Sequence, residues 1–278
     1  MTIGALFLND RDVEADFLLY ASDLKGWPGN LSSAPREAPL SEGPQLQGAT
    51  LDPRLIKRKP STATITAIMV QPTADAARVA LDNLRALLWS QAEVMVRTFY
   101  APDRYCLATC IGLEGVAHIP QVLDGSVDVQ MSFQVKNGLA FRLQPDGYAL
   151  SPTPTPCPIG SAESRPVIIL HGNGAVLTNP TIAVRNAAND VTQLMNFTVT
   201  LAANEALRID TARATVSKIT DGVITDALAA GYWPPGSGDF PLLRPYDGAI
   251  EAGQYPSVNV TAITGTPVGS ISYVRRYS

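Results

Sequence analysis

The residues of this chain best equipped for chemistry are three cysteines, two histidines and a few closely spaced carboxylates. Cys106 and Cys110 stand four apart in "RYCLATCIGL", a run whose composition predicts a strand. Both side chains then point to one face with Cα atoms roughly 13 Å apart, at about 3.3 Å of rise per residue, which is too far for a disulfide. A metal centre built from them and His118 lacks a fourth ligand, so these two, with Cys157, are expected as buried apolar thiols. His118 and His171 lie outside any nucleophile elbow, HExxH helix or EF-hand loop. "HGNGAV", His171 to Val176, has two glycines but lacks the third glycine and the following helix of a phosphate cradle, and it predicts a tight hairpin turn. Asp12 with Glu14, and Asp221 with Asp226, are carboxylate pairs of the kind glycosidases use, in no context that marks them. Trp233 in "GYWPPG" could serve as a platform for a sugar ring, Trp27 in "KGWPGN" is comparable, and Trp89 falls on a helix; a tryptophan beside prolines also packs loops. No catalytic, cofactor-binding or metal-binding residue is assigned, no cofactor is called for, and the chain reads as a non-enzyme.

The elements that would have to position such groups follow from composition. The 278 residues suit one large or two ordinary domains, long enough to fold on apolar burial alone. With 22 prolines, 21 glycines and 17% charged residues, many short elements joined by turns are expected, which leans toward β. The formal charge is −4, and the basic residues are scattered except for Lys57-Arg58-Lys59 and Arg275-Arg276. Without a cationic stripe, specific nucleic-acid binding is not expected. "MTIGALFLNDRD" has no basic leader, and no stretch approaches eighteen apolar residues; the expectation is a soluble chain made in a cytoplasm, without membrane insertion.

Along the chain, "GALFLNDRDVEADFLLYAS" predicts two short strands around a turn at Asn9-Asp10. Residues 25–60 are rich in proline and glycine and too long for an ordinary connection; an extended arm reaching a neighbouring subunit and a disordered linker both fit. "STATITAIMV" is a strand. Residues 73–91 form the clearest helix, with Thr73 at its cap, Asp75 in its first turn and Ala77, Leu81, Leu84 and Leu88 on one stripe. "EVMVRTFYA", "RYCLATCIG" and "SVDVQMSFQVK" are strands, and the last alternates: Val127, Val129, Met131, Phe133 and Val135 face one way, Asp128, Gln130, Ser132, Gln134 and Lys136 the other. Six prolines from Pro145 to Pro166 predict a stiff linker over 145–165. Beyond it "PVIILHG", "PTIAVRN", "QLMNFTVTL", "ALRIDTARATVSKI", "SVNVTAIT" and "GSISYVRRY" are strand-like runs of an antiparallel sandwich, with "ITDALAAG" able to form a helical turn or two. The fold class is mainly β: an N-terminal β-rich domain (1–144) with one helix (73–91) and a long arm (25–60), then a C-terminal β-sandwich (166–278).

This order of features resembles the distal tail protein of long-tailed, siphovirus-type bacteriophages over the whole chain. In that family a "P.I.I.G" run enters the C-terminal domain, here Pro166-Val167-Ile168-Ile169-Leu170-His171-Gly172. An "NP.I.V.N" run follows, here Asn179 to Asn186, then "L.ID", here Leu207-Arg208-Ile209-Asp210. A "FP.L.PG.N.I" tract precedes a last strand bearing an aromatic and an arginine; here it reads "FPLLRPYDGAI", Phe240 to Ile250, with Tyr246-Asp247 in place of the usual Gly and Asn pairing.

The resemblance implies a galectin-like C-terminal sandwich, with the Phe-Pro-Leu tract pinned onto its edge; an exposed contact patch for a partner is the rival role for the tract. It also implies a structural virion protein: a homohexameric ring at the distal tip of the phage tail, joining the tail tube protein to the baseplate hub or tail-tip protein. Receptor-binding or tail-fibre proteins are further implied partners, and the ring would leave a channel for DNA, where lysines that neutralise phosphate would arrest sliding. The alternative function is a carbohydrate-binding module contacting host-surface glycans, since a sandwich fold does not settle function.

Overall fold

A computed structural model describes residues 6–27, 36–37, 40–41, 50–51, 57–58, 60–98, 101–116, 125–227, 240–245 and 255–277. The chain divides into two units, Met1–Leu143 with Tyr277–Ser278, and Gln144–Arg276.

In the first unit, β1 (Phe7–Leu8) and β2 (Arg11–Asp12) flank the expected turn, where Asn9 and Asp10 both take positive φ, a conformation these two residue types tolerate. A short helix that the sequence analysis does not anticipate follows, α1 (Val13–Phe17). Asp12 caps it by accepting from the amides of Glu14 and Ala15, and the left-handed Leu18 ends it. Next come β3 (Leu19–Lys25) and four two-residue strands: β4 (Arg36–Glu37), β5 (Leu40–Ser41), β6 (Thr50–Leu51) and β7 (Lys57–Arg58). β4 pairs with β7 and β5 with β6, so the segment expected as an arm folds back on itself in a nested ladder.

The remaining elements of this unit are β8 (Ser61–Val70), α2 (Ala74–Trp89), β9 (Val94–Arg97), β10 (Arg104–Val116) and β11 (Ser126–Arg142). They join one antiparallel sheet in the order β2-β1-β9-β10-β11-β8-β3. Alternation along β8 buries Ala63, Ile65, Ala67 and Met69, and along β11 it buries Val129, Met131, Phe133 and Val135. α2 forms as predicted: the Thr73 hydroxyl accepts from the Ala76 amide, and Ala77, Leu84 and Leu88 are buried. Leu81 packs so closely on β10 that a Cβ at Gly115 would lie 2.9 Å from its methyl. Trp27 is 1% exposed, with its ring centroid 5.4 Å from that of Phe133.

The second unit comprises β12 (Asp146–Leu150), β13 (Thr155–Pro156), β14 (Val167–His171), β15 (Leu177–Thr178), β16 (Thr181–Arg185) and β17 (Val191–Asn196). β18 (Thr200–Leu201), β19 (Glu205–Asp210), β20 (Thr215–Thr220), β21 (Val223–Ala227), β22 (Ser257–Thr261) and β23 (Val268–Tyr273) follow. One antiparallel sheet runs β12-β23-β14-β19-β20-β21 and a second runs β13-β22-β16-β17. Ile168, Leu170, Leu207 and Ile271 from the first share a core with Ile182, Val184, Val258 and Val260 from the second. That is the sandwich the short alternating runs predict.

Two expectations change. The stretch 145–165, expected as a linker, is part of the sandwich: β12 pairs with β23, β13 pairs with β22, and Leu150, Cys157 and Ile159 enter the core. Its prolines fall at strand ends and between strands, where no ladder donor is required. "ITDALAAG" begins within β21 rather than in a helical turn; β21 pairs with β20 across the turn Asp221-Gly222, both with positive φ, and the pairing outweighs the helical preference of alanine and leucine.

Replacing Trp27 removes the largest buried side chain of the first core. Trp27→Ala is expected to destabilise the protein by about 3–5 kcal/mol, measured as a lower urea midpoint followed by circular dichroism.

Candidate functional site

Among the described residues, most of those with chemical potential take structural roles. Cys106, Cys110 and Cys157 are free thiols. Cys106 and Cys110 share the inward face of β10, as their spacing predicts. Burial pushes the Cys106 thiol up to about 12 and does the same for Cys157, against a lowering hydrogen bond with the Val258 backbone. The half-buried Cys110 is also raised, chiefly by desolvation, with its hydrogen bonds to the Gly112 backbone and the Trp89 side chain pulling the other way. Thiols held protonated are poor nucleophiles and poor metal ligands.

His171 ends β14, where its Nδ1 accepts the Asn173 amide. "HGNGAV" is a tight turn with Asn173 and Gly174 both at positive φ, closed by the Ala175 amide donating to the Gly172 carbonyl. The strands it leads between, β14 and β15, belong to different sheets, so the turn is not a hairpin. Asp12 is committed to its helix cap, and Asp221 accepts from the Asn204 side chain within the β20–β21 turn. His118 and Trp233 lie outside the described residues, as does the side chain of Asp226. Of the tryptophans considered as sugar platforms, Trp27 is in the core, while Trp89, 60% exposed, ends α2. Among the described residues no group of three acidic, cysteine or histidine side chains could hold a metal ion, and no helix is long and apolar enough to cross a membrane.

What the structure assembles from the sequence motifs is a set of backbone joints. Pro166 offers its carbonyl to both the amide and the hydroxyl of Thr211, at 3.1 and 2.8 Å. Asp210, 5% exposed, accepts from the Arg213 amide and pairs with Arg208, so the "L.ID" run ends in a side chain that shapes the β19–β20 turn. Asn179, at φ 49°, donates its backbone amide to the Val199 carbonyl at 2.8 Å and accepts the Val199 amide on its side-chain oxygen at 3.1 Å. Asn186 closes the β16–β17 turn by accepting from the Asp190 amide at 2.8 Å.

The Phe-Pro-Leu tract is the most elaborate joint. Leu243 exchanges two backbone hydrogen bonds with Ser164, at 2.9 and 3.0 Å, and its side chain is fully buried, a burial that contributes roughly 1.5–3 kcal/mol. The Gln193 carboxamide on β17 holds the preceding residue from both sides: its oxygen accepts the Leu242 amide at 2.9 Å and its nitrogen donates to the Leu242 carbonyl at 2.7 Å. Pro241 is buried and Phe240 packs against the core. The tract is therefore fastened onto the sandwich along Phe240–Pro245; Tyr246 to Ile250 lie outside the described residues. The last strand is locked by Tyr273, whose hydroxyl donates to the Pro158 carbonyl at 2.7 Å, and by Arg275, bidentate to Asp146 at 2.8 Å on both arms. Sequence order alone marks the tract; Gln193 and Ser164, its two fasteners, carry no signal in the sequence.

Comparison of this fold with solved structures finds the SPP1 Dit (gp 19.1) protein, described as a paradigm of the hub adsorption apparatus in phages infecting Gram-positive bacteria. It superposes at a TM-score of 0.70 over 99% of each chain, with 12% sequence identity. The chain thus shares the fold of the SPP1 Dit protein over nearly its whole length. The phage P2 baseplate in its activated conformation with Ca aligns over 95% of this chain and 92% of that one, at 7% identity and a TM-score of 0.42, too low to carry an argument. No protein-family model and no curated protein matches the sequence.

Two measurements follow. Gln193→Ala leaves the amide and carbonyl of Leu242 without partners and is expected to cost about 1–3 kcal/mol and to speed amide exchange at Leu242, with Gln193→Glu, which can still accept but not donate, in between. In native protein near pH 8, a thiol reagent is expected to label Cys110 first and to reach Cys106 and Cys157 only as the chain unfolds.

Proposed function

We propose that this chain is a structural subunit of the distal end of a phage tail: a homohexameric ring, within the virion, that joins the tail tube protein to the baseplate hub and leaves a channel for DNA. The observation that carries the reading is the end-to-end fold similarity to the SPP1 Dit protein, 99% of each chain at a TM-score of 0.70. A partial match would fit any β-sandwich module; agreement of both units in one chain fits a tail component. The backbone joints support the same reading, because the residues in the resembling motifs stabilise turns and strand ends instead of converging on a substrate. The first unit is the ring-former, and the nested ladder within residues 25–60 is the arm that reaches a neighbouring subunit. A ring of this kind closes when two different patches on each subunit meet with a rotation that returns to its start. Receptor-binding or tail-fibre proteins attach through the second unit.

Light scattering of the purified chain is expected to give six times the chain mass or a multiple of it, with annular particles in negative stain; a monomer at all concentrations overturns the ring. Deleting residues 30–50 is expected to preserve the circular dichroism spectrum and to weaken or abolish the ring, whereas unchanged assembly would make the segment a linker.

A further inference from the structure

α2 buries Ala77, Leu84 and Leu88 on one side and turns the other to solvent. Asp75, Val79, Asp82, Ala86 and Trp89 recur along it at intervals of four, three, four and three, which at 3.6 residues per turn places them together on the outer side. Arg78 and Arg85 follow one flank of that row. Val79 is 55% exposed and Trp89 60%, and tryptophan is among the residues that most often anchor a protein contact. The charges of this face alternate in sign along the helix: Asp75 pairs with Arg78 at 3.6 Å and Asp82 with Arg85 at 2.9 Å. Exposed pairs of this kind add little to the stability of the helix that carries them.

The spacing of the four charges is symmetric. Asp75 and Arg85 stand equally far from Ala80 in sequence, and so do Arg78 and Asp82; reading the row backwards exchanges every negative charge for a positive one. The flanks do not disturb this balance. The groove on one side of α2, floored by Phe17, Ala86 and Leu87, carries two further charges, Arg11 and Asp16, which bond each other at 2.7 Å. Among the described residues lining the crevice on the other side, beside Gly115 and Val127, Arg78 is the one charged side chain.

We propose that α2 pairs antiparallel with α2 of a second copy of the chain, about a two-fold axis that passes level with Ala80. The reversal brings Arg78 of each copy level with Asp82 of the other and Asp75 level with Arg85, so every charge of the row meets its opposite. Val79 lies one residue from the axis, about 1.5 Å along the helix, and the two copies of this exposed side chain meet at the centre. Trp89 of each copy comes level with Pro72, an exposed residue at the start of the other helix, whose ring offers it an apolar surface. A second copy is the occupant because the row is complementary to itself in reverse. One face used twice is an isologous contact, whereas a ring needs two different patches, so this pairing is separate from the ring interface. The 16 residues of α2, at 1.5 Å of rise and about 10 Å of width, cover on the order of 250 Å² per copy, below a standard interface. Pairing of single chains is therefore transient, weakens as salt screens the ion pairs, and strengthens where several copies are held together.

Disulfide trapping on the full chain detects a contact this weak. In a Cys110→Ser background, Val79→Cys is expected to form a linked dimer under mild oxidation with copper phenanthroline, seen on a non-reducing gel. Ala86→Cys, equally exposed on the same face, is expected not to link, because the two-fold axis sets its two copies about 18 Å apart along the helices, beyond disulfide reach. Adding Arg78→Asp or Asp82→Arg to Val79→Cys turns two opposite-charge contacts into like-charge ones and is expected to lower the linking rate about tenfold. Mixing these two variants in equal amounts is expected to restore it, since each then meets its opposite. Circular dichroism checks the fold of each variant; should one fail to fold, the other must by itself lower the rate. Val79→Cys that links no faster than Ala86→Cys overturns the proposal, as do charge variants that leave the rate unchanged or a mixture of folded variants that does not recover it. Rings in which Val79→Cys does not link refute this contact and leave the ring standing; an otherwise monomeric chain that links refutes the ring and leaves this contact standing.

Discussion

The second unit depends on one insertion: β23, formed by residues near the end of the chain, lies between β12 and β14 and pairs with both. Until it is in place, β12 has no neighbour in its sheet and the ladder edge of β14 is open. Unpaired backbone groups in a core are costly, so the sandwich cannot close in part. The bidentate Arg275–Asp146 bridge and the Tyr273 hydroxyl on Pro158 fix this strand to the beginning of the unit. Both contacts span more than a hundred residues of sequence, the kind of non-local pairing that folds slowly because loop closure precedes its reward.

Seen from that constraint, the proline-rich stretches are fittings of the sandwich. The segment after Pro145 supplies β12 and β13 and the carbonyls that Tyr273 and Asn259 bond. The tract before the last strands is held by Gln193 and Ser164. In each case residues that cannot extend a ladder are placed where side chains or single bridges satisfy the backbone, so rigidity comes from joints rather than from long strands.

The first unit uses a different economy. Its helix, Trp27 and the alternating residues of β8 and β11 concentrate apolar volume on one face of a single sheet. The opposite face is more polar, carrying Thr62, Thr64, Thr66, Gln130, Ser132 and Gln134 with the exposed pair Asp23 and Lys25 beside them.

The sequence by itself determined the elements whose signal is local. Alternation fixed the facing of β11, and the Thr73 cap and the apolar stripe fixed α2, with Cys106 and Cys110 on one inward face as their spacing requires. The order of the motifs also pointed to the phage tail fold before any geometry. Tertiary structure decided what depends on partners distant in sequence. Residues 145–165 are sandwich because β23 and β22 offer edges to pair with, Ile224–Ala227 is strand because β20 lies beside it, and α1 exists because Asp12 caps five residues too few to announce a helix. Trp27, weighed as a sugar platform against loop packing, is core because Phe133 packs against it. Gln193 became a fastener only once β17 brought its carboxamide to Leu242: a side chain's two hydrogen bonds are set by where another part of the chain lies, and no local pattern encodes that position.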